Sequence, residues 1–248
     1  MDRTGLARIA HEGGVAEVSL SRAPVNALTP DFLNDFKSLM QELEADTAVR
    51  AILLTSPFKV FSAGLDLKEA QGLDQAGQAA IAAGLNHGFL SLFACAKPTV
   101  AAVNGAAIAG GLFFVLASDV RIATAKARFG LAEVRVGVDF PIGPMEIARA
   151  TLSTNDLRRL MLTGQPIGAD TAERAGIVDA VVTEDELRTR ALDEAHALAR
   201  IPPKAYAAVK GQIRGETIAA IKTQMDKADP QAGWFTEETA PAMRRMIG

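Results

Sequence analysis

Glu133 sits in the run Phe129-Gly130-Leu131-Ala132-Glu133-Val134, a carboxylate with almost no polar company. Burial among apolar side chains raises the pKa of such a group, making it a stronger base once deprotonated and a competent acid afterwards. Upstream lie two glycine-bearing turns, Phe61-Ser62-Ala63-Gly64-Leu65-Asp66-Leu67 and Asn104-Gly105-Ala106-Ala107-Ile108-Ala109-Gly110-Gly111. Turns of this kind can aim backbone N–H groups at a developing negative charge. One carboxylate and two sets of N–H donors suit a proton shuttle better than the addition of water. An isolated glutamate is ordinarily a surface residue, and a Gly-Gly pair ordinarily serves close packing; the combination is what points to chemistry.

Other chemistries find no support. Gly105-x-x-x-x-Gly110 begins like a phosphate loop, but Gly111-Leu112 replaces the Lys-Ser/Thr that would hold phosphate and metal. Ser62 lacks the glycine pattern of a nucleophile elbow. The 3 histidines, His11, His87 and His196, have no ligand spacing, so no metal is expected. No dinucleotide fingerprint follows the first strand, and no cofactor is expected.

The chain has 248 residues, 49% hydrophobic and 22% charged, with net charge −3. These are values of a globular protein with a sizeable core. No basic stripe with interleaved aromatics occurs, which argues against nucleic acid as a partner. The single cysteine, Cys95, excludes an internal disulfide and fits a reducing compartment as a buried thiol. Met1 to Leu6 lacks the apolar core of a signal peptide, and the last residues carry no peroxisomal address. A cytoplasmic protein without membrane attachment is expected. Thr99 to Ser118 is almost uncharged and about as long as a membrane span, but Asn104 and its glycines read better as strand, turn and buried helix.

The elements that must position Glu133 and the turns alternate. Glu17 to Leu20 reads as a short strand, Pro24 to Thr29 as a turn, and Asp31 to Glu44 as a helix. Phe32, Phe36, Leu39, Met40 and Leu43 fall on one helical face, with Thr29 as N-cap and Pro30 at the start. Ala51 to Thr55 and Thr99 to Val103 are short apolar runs typical of buried strands. Such alternation predicts an α/β architecture. Ala70 to Ala96 is helical in pattern without a strong apolar stripe, a candidate mobile wall over a pocket. Beyond Asn155 the chain reads as helices, with a turn at 164–168, a short helix at 169–175 and a strand at 177–182. A helix spans 185–200, and a helical tail carries the apolar pair Trp234-Phe235, expected to dock on a neighbouring surface.

The two turns, their order and their distance to Glu133 resemble the crotonase (enoyl-CoA hydratase/isomerase) superfamily. The resemblance runs through Pro24-Val25-Asn26-Ala27-Leu28, Val60 to Leu67, Ala102-Val103-Asn104-Gly105, Ala117 to Ala123, Leu162-Thr163-Gly164 and Ala175-Gly176-Ile177-Val178. It implies a spiral of ββα units with a helical C-terminal region: a catalytic core over 1–190 and an oligomerisation region over 191–248. It implies an acyl-CoA thioester as substrate and a homotrimer or a dimer of trimers as the assembly. It makes Leu65 and Gly110 the backbone donors of an oxyanion hole and Glu133 the catalytic acid/base. Gly110 suits that part, because it opens the apolar helix 110–117, where the first N–H groups lack partners at the positive dipole end.

The other glutamate of family hydratases falls on Phe113, which cannot activate water. Moving a double bond from the 3 to the 2 position needs one carboxylate, so the resemblance implies a Δ3,Δ2-enoyl-CoA isomerase, with Phe113 and Phe114 drying the pocket. The alternatives are a hydratase or dienoyl-type isomerase with Asp139 as second acid, and a non-catalytic acyl-CoA-binding member. Ala23, Val25, Ala27, Ala63, Asp66, Leu67, Gly111 and Phe113 are the expected substrate contacts, Asp66 doubling as a helix cap. Asp139 reads more readily as a solvated loop residue, Glu146 as outward-facing and Asp119 as a structural hydrogen-bonding group. Arg22, Lys68 and Lys210 are candidates for the CoA phosphates, each set against the commoner reading of a solvated surface charge.

Overall fold

The structure is a computed structural model and describes residues 5–229 and 232–247. The chain opens with β1 (Leu6–His11), β2 (Val15–Leu20), β3 (Ala27–Leu28), α1 (Pro30–Ala45) and β4 (Ala51–Thr55). There follow β5 (Gly64–Leu65), α2 (Leu67–Ala70), α3 (Gln75–Phe93), β6 (Thr99–Val103), β7 (Ala106–Ile108) and α4 (Gly110–Leu116). The middle carries β8 (Val120–Thr124), β9 (Arg128–Gly130), α5 (Ile142–Thr151), α6 (Thr154–Thr163), β10 (Ile167–Gly168) and α7 (Ala169–Arg174). The end consists of β11 (Ala180–Val182), α8 (Glu184–Ala199), α9 (Pro203–Lys227) and α10 (Thr239–Ile247). Among the described residues no helix is long and apolar enough to cross a membrane.

The main sheet has the order β1-β2-β4-β6-β8-β11, parallel except for the antiparallel pair β1–β2. Side chains alternate across a strand, so each strand feeds two cores. Val15, Ala51, Leu53, Val100, Ala102 and Ile122 pack on Leu187, Ala191, Ala195 and Ala199 of α8. Ala16, Val18, Leu20, Ile52, Leu54, Ala101 and Val103 face the opposite way, into the cluster that contains α1, α3 and α4. Burial on both faces makes the central strands nearly continuous apolar runs, as parallel sheets require. The α8 helix spans position 190, and its apolar face packs against the main sheet.

α1 forms as its periodicity dictates. The Thr29 side chain accepts a hydrogen bond from the Phe32 N–H at 3.3 Å, Pro30 occupies the first turn, and the apolar stripe is buried. α3 lacks such a stripe because it is covered on more than one side. A Cβ added at Gly84 or Gly88 would lie 3.2 or 3.3 Å from Leu33 of α1, so small residues allow the close approach of these helices. The segment is thus a packed element of the core as well as a pocket wall.

β1 has no counterpart in the sequence reading. It is an edge strand whose inner positions are exposed, so no apolar alternation marks it. The strand predicted at 177–182 is confined to Ala180–Val182, because Ala175 to Asp179 complete the turn out of α7.

Candidate active site

Two small sheets bring the glycine turns together. β7, β9 and β10 form one, and β3 with β5 the other. A bridge between Ser62 and Ala107 joins them. The N–H groups of Phe61 and Ser62 both donate to the Ala106 carbonyl, at 2.9 and 3.0 Å, and the Ile108 N–H donates to the Ser62 carbonyl at 3.0 Å. A third segment locks this contact from behind. The Asn26 side chain, fully buried, donates to the Phe61 carbonyl at 2.9 Å, and the Ser62 hydroxyl donates to the Asn26 carbonyl at 2.8 Å.

The glycines are demanded by this closeness. At Gly64 the backbone has φ +81°, and a Cβ would fall 2.7 Å from the Ile108 carbonyl and 3.3 Å from the Gly110 nitrogen. At Gly111 a Cβ would fall 2.4 Å from the Ser62 carbonyl. The two donor turns therefore touch across 46 residues of sequence. Ala109, just before α4, adopts φ +51° without being glycine. Its N–H donates to the Gly130 carbonyl at 2.7 Å, and the pairing of Ile108 with Gly130 fixes the turn from the other side. Such a conformation persists only where neighbours over-determine it, and it is common at ligand sites.

The Asp66 N–H turns toward β3 and donates to the Leu28 carbonyl at 3.2 Å. Successive N–H groups along a strand point to opposite edges, which sends the Leu65 N–H the other way. Leu65 and Gly110 both line a cavity of ≈ 460 Å³. So do Val25, Ala27, Ala63, Asp66, Leu67, Phe113 and Glu133. Ala23 and Gly111 are not on the lining. Ala23 lies one residue before Pro24, which is, and Gly111 is turned against Ser62.

Glu133 opens a short 3-10 turn, Glu133–Val136, that ends at Gly137 in the left-handed region. The residue is 6% exposed, and its Oε2 has no hydrogen-bond partner. Burial pushes its pKa up to about 8; its own backbone N–H acts in the opposite direction, but less. At neutral pH the resting carboxyl is therefore mostly protonated, poised close to the working range of a general base.

Phe113 is buried and lines the cavity, stacked near Phe89 with ring centroids 5.4 Å apart. Phe114 does not contribute to the lining. A step of one residue turns it to another face of α4, where it packs edge-on against Phe36 and Phe89. Asp139 is exposed and accepts a hydrogen bond from the Trp234 indole N–H at 3.0 Å instead of lining the cavity. Glu146 pairs with Arg149 one helical turn away.

The basic candidates separate. Lys210 is not available to a phosphate: it is buried against Asp119 at 2.7 Å, and Tyr206 and Arg214 join the same carboxylate at 3.0 and 2.8 Å. Residues 206, 210 and 214 recur every four positions on α9 and so form one stripe that clamps the helix to the core. Asp119 thus has the structural role expected of it. Arg22 is engaged by Asp66 at 3.3 Å and Glu69 at 2.7 Å. Lys68 is exposed and lines the cavity. Asp66 caps α2 by accepting from the N–H groups of Lys68 and Glu69.

Leu85, Val136, Val138, Pro144 and Trp234 are among the further wall residues, and none was expected there from the sequence. The signal for Trp234 was the apolar pair it makes with Phe235 in a polar tail. Its docking surface is within the same chain, where Gln78 of α3 accepts from the N–H groups of Trp234 and Phe235 at 3.2 and 3.0 Å.

A mostly parallel α/β sheet with a cavity beside it, lined by a buried carboxylate and by two interlocked glycine turns, is a crotonase-type architecture. The chain belongs to the enoyl-CoA hydratase/isomerase family, whose profile matches residues 10–240. It is 33% identical over 221 residues to the human protein named enoyl-CoA delta isomerase 1, mitochondrial, covering 88% of this chain and 73% of that one. It is 32% identical over 240 residues to the short-chain-enoyl-CoA hydratase of Clostridium acetobutylicum, covering 95% and 92%. The structure of human mitochondrial delta3-delta2-enoyl-CoA isomerase superposes with a TM-score of 0.91 at 27% identity, over 98% of this chain and 97% of that one.

Proposed function

We propose that this enzyme moves a carbon–carbon double bond of an enoyl-CoA thioester from the 3 to the 2 position, with Glu133 as the single acid/base. The carboxylate removes a proton from C2. The electron pair shifts to give a dienolate whose oxygen accepts hydrogen bonds from the Leu65 and Gly110 N–H groups. Glu133 then returns the proton at C4, leaving the conjugated 2-enoyl thioester. Each oxyanion donor of this kind is worth about 3–4 kcal/mol of barrier.

The observation that carries the reading is the inventory of the cavity wall. Among the described residues that line it, Glu133 and Asp66 are the carboxylates, and Asp66 is held by Arg22 and by the start of α2. Phe113 lines the wall at the position to which the resemblance assigns the second acid of family hydratases, and Asp139 is engaged by Trp234. Activating water for addition calls for that second acid. The reading of the cavity as an acyl-CoA site draws on the names of the relatives and on the apolar lining.

The hydratase reading has the Clostridium relative in its favour. One experiment separates the two. Purified protein is given a 3-enoyl-CoA and, separately, a 2-enoyl-CoA, with conjugated thioester absorbance followed and products identified by mass. Conjugation from the 3-enoyl substrate without a water adduct from either is the expected result. A hydroxyacyl product would overturn the single-glutamate mechanism.

A further inference from the structure

Trp234 is the one aromatic contribution of the C-terminal segment to the cavity wall, and it is held from three directions. Its indole N–H donates to Asp139 at 3.0 Å. Its backbone N–H and that of Phe235 both donate to Gln78. Its ring stacks near Phe235 with centroids 5.7 Å apart. Indole is well suited to such a place: it presents a wide apolar face while its single polar atom finds a partner outside the cavity. Asp139 is exposed and lines no part of the cavity, so its reach to the indole has no evident purpose other than orienting that ring.

We infer that Trp234 is the specificity-determining wall that limits acyl chain length in this cavity, and that Asp139 is the positioning residue that holds it there. The inference rests on the reading of the cavity as an acyl thioester site. It assigns to Asp139 a role in selecting the acyl group in place of a role in proton transfer. An acyl chain growing toward the indole gains contact with each added methylene until it meets the ring. Beyond that length, further methylenes gain nothing.

Trp234 is the only tryptophan of the chain, so its emission reports on this position alone. Saturated acyl-CoAs of increasing chain length, which cannot isomerise, are titrated into the wild type and into Trp234→Ala, Trp234→Phe and Asp139→Ala, with CoA alone as control. Affinity is read by calorimetry and indole emission by fluorescence. In the wild type, CoA and the shortest esters leave the emission unchanged. At a threshold length the emission shifts, and affinity stops rising at that same length. In Trp234→Ala, affinity continues to rise past the threshold by about fourfold per methylene, the equivalent of ~0.8 kcal/mol, while Trp234→Phe keeps the wild-type threshold. In Asp139→Ala the threshold moves to longer chains.

Emission that responds to no chain length, or a Trp234→Ala plateau at the wild-type length, would overturn the assignment. A wild-type threshold in Asp139→Ala would overturn the positioning role. The emission titration of the wild type needs no substitution, so it decides the question even where Trp234→Ala fails to fold. Failure of the isomerase reading would leave these binding measurements intact, whereas absence of any acyl-CoA binding would overturn both.

Discussion

Replacing Glu133 by glutamine should move stability and turnover in opposite directions, each with its own dependence on pH. The folded protein holds the Glu133 proton up to about pH 8, against an ordinary value of 4.5. Between those values the native state binds more protons than the unfolded chain, so stability falls as pH rises. The slope reaches at most about 1.4 kcal/mol per pH unit, and the whole interval amounts to about 5 kcal/mol. Glutamine has the shape of the protonated acid but does not titrate. At pH 5 the two proteins should unfold within about 1 kcal/mol of each other in urea, and at pH 9 the variant should be the more stable by several kcal/mol. The wild-type kcat/KM for a 3-enoyl-CoA should rise tenfold per unit below pH 8 and level off above it, because only the ionised carboxylate takes the C2 proton. The variant should lose at least 10²–10⁴-fold in turnover while still binding acyl-CoA. Parallel stability curves for the two proteins would refute the burial argument. Near-normal turnover in the variant would refute the catalytic assignment.

Gly111→Ala forces a Cβ to within 2.4 Å of the Ser62 carbonyl, a backbone atom that cannot swing aside; it should cost about 1–3 kcal/mol in denaturant unfolding and lower kcat by separating the donor turns. Asp119→Ala leaves the buried Lys210 and Arg214 without their carboxylate. That loss should amount to about 3–5 kcal/mol, with no change in acyl-CoA affinity measured where the variant is still folded. Phe113→Ala should cost about 3–5 kcal/mol by thermal unfolding, and product analysis by mass should reveal any water that enters the vacated space. Lys68→Ala should raise KM for a CoA ester and leave KM for the corresponding pantetheine thioester unchanged, since the latter lacks the nucleotide phosphates.

Much of the scaffold was legible locally. The Thr29 cap, the stripe of α1 and the apolar runs of β4 and β6 are set by neighbours a few residues away, and they form where the pattern placed them. The small sheets were not legible, because strands of two or three residues have no period to detect. The meeting of Gly64 with Gly110, and of Gly111 with Ser62, is a long-range contact that no window of sequence contains. The glycines were visible, but the reason for them was not. Glu133 stood out by its apolar surroundings and by family likeness, whereas Trp234 had to be placed by partners in α3 and the loop after Val138. Lys210 misled for the same reason: its partner lies 91 residues away, and a lysine in a helix reads as a surface charge until that partner is known.

The two-sided main sheet also divides the molecule into separable tasks. Phe61 and Ala107 of the donor turns belong to the core that contains α1, α3 and α4, with Leu65 packed on it, whereas no residue of the cluster under α8 lines the cavity. Substitutions in the α8 layer can therefore raise or lower the melting temperature without rewriting the chemistry. That layer is a ballast: a lineage or an engineer could trade against it, accepting a strained or polar novelty around the cavity while the far side of the sheet keeps the fold above its threshold.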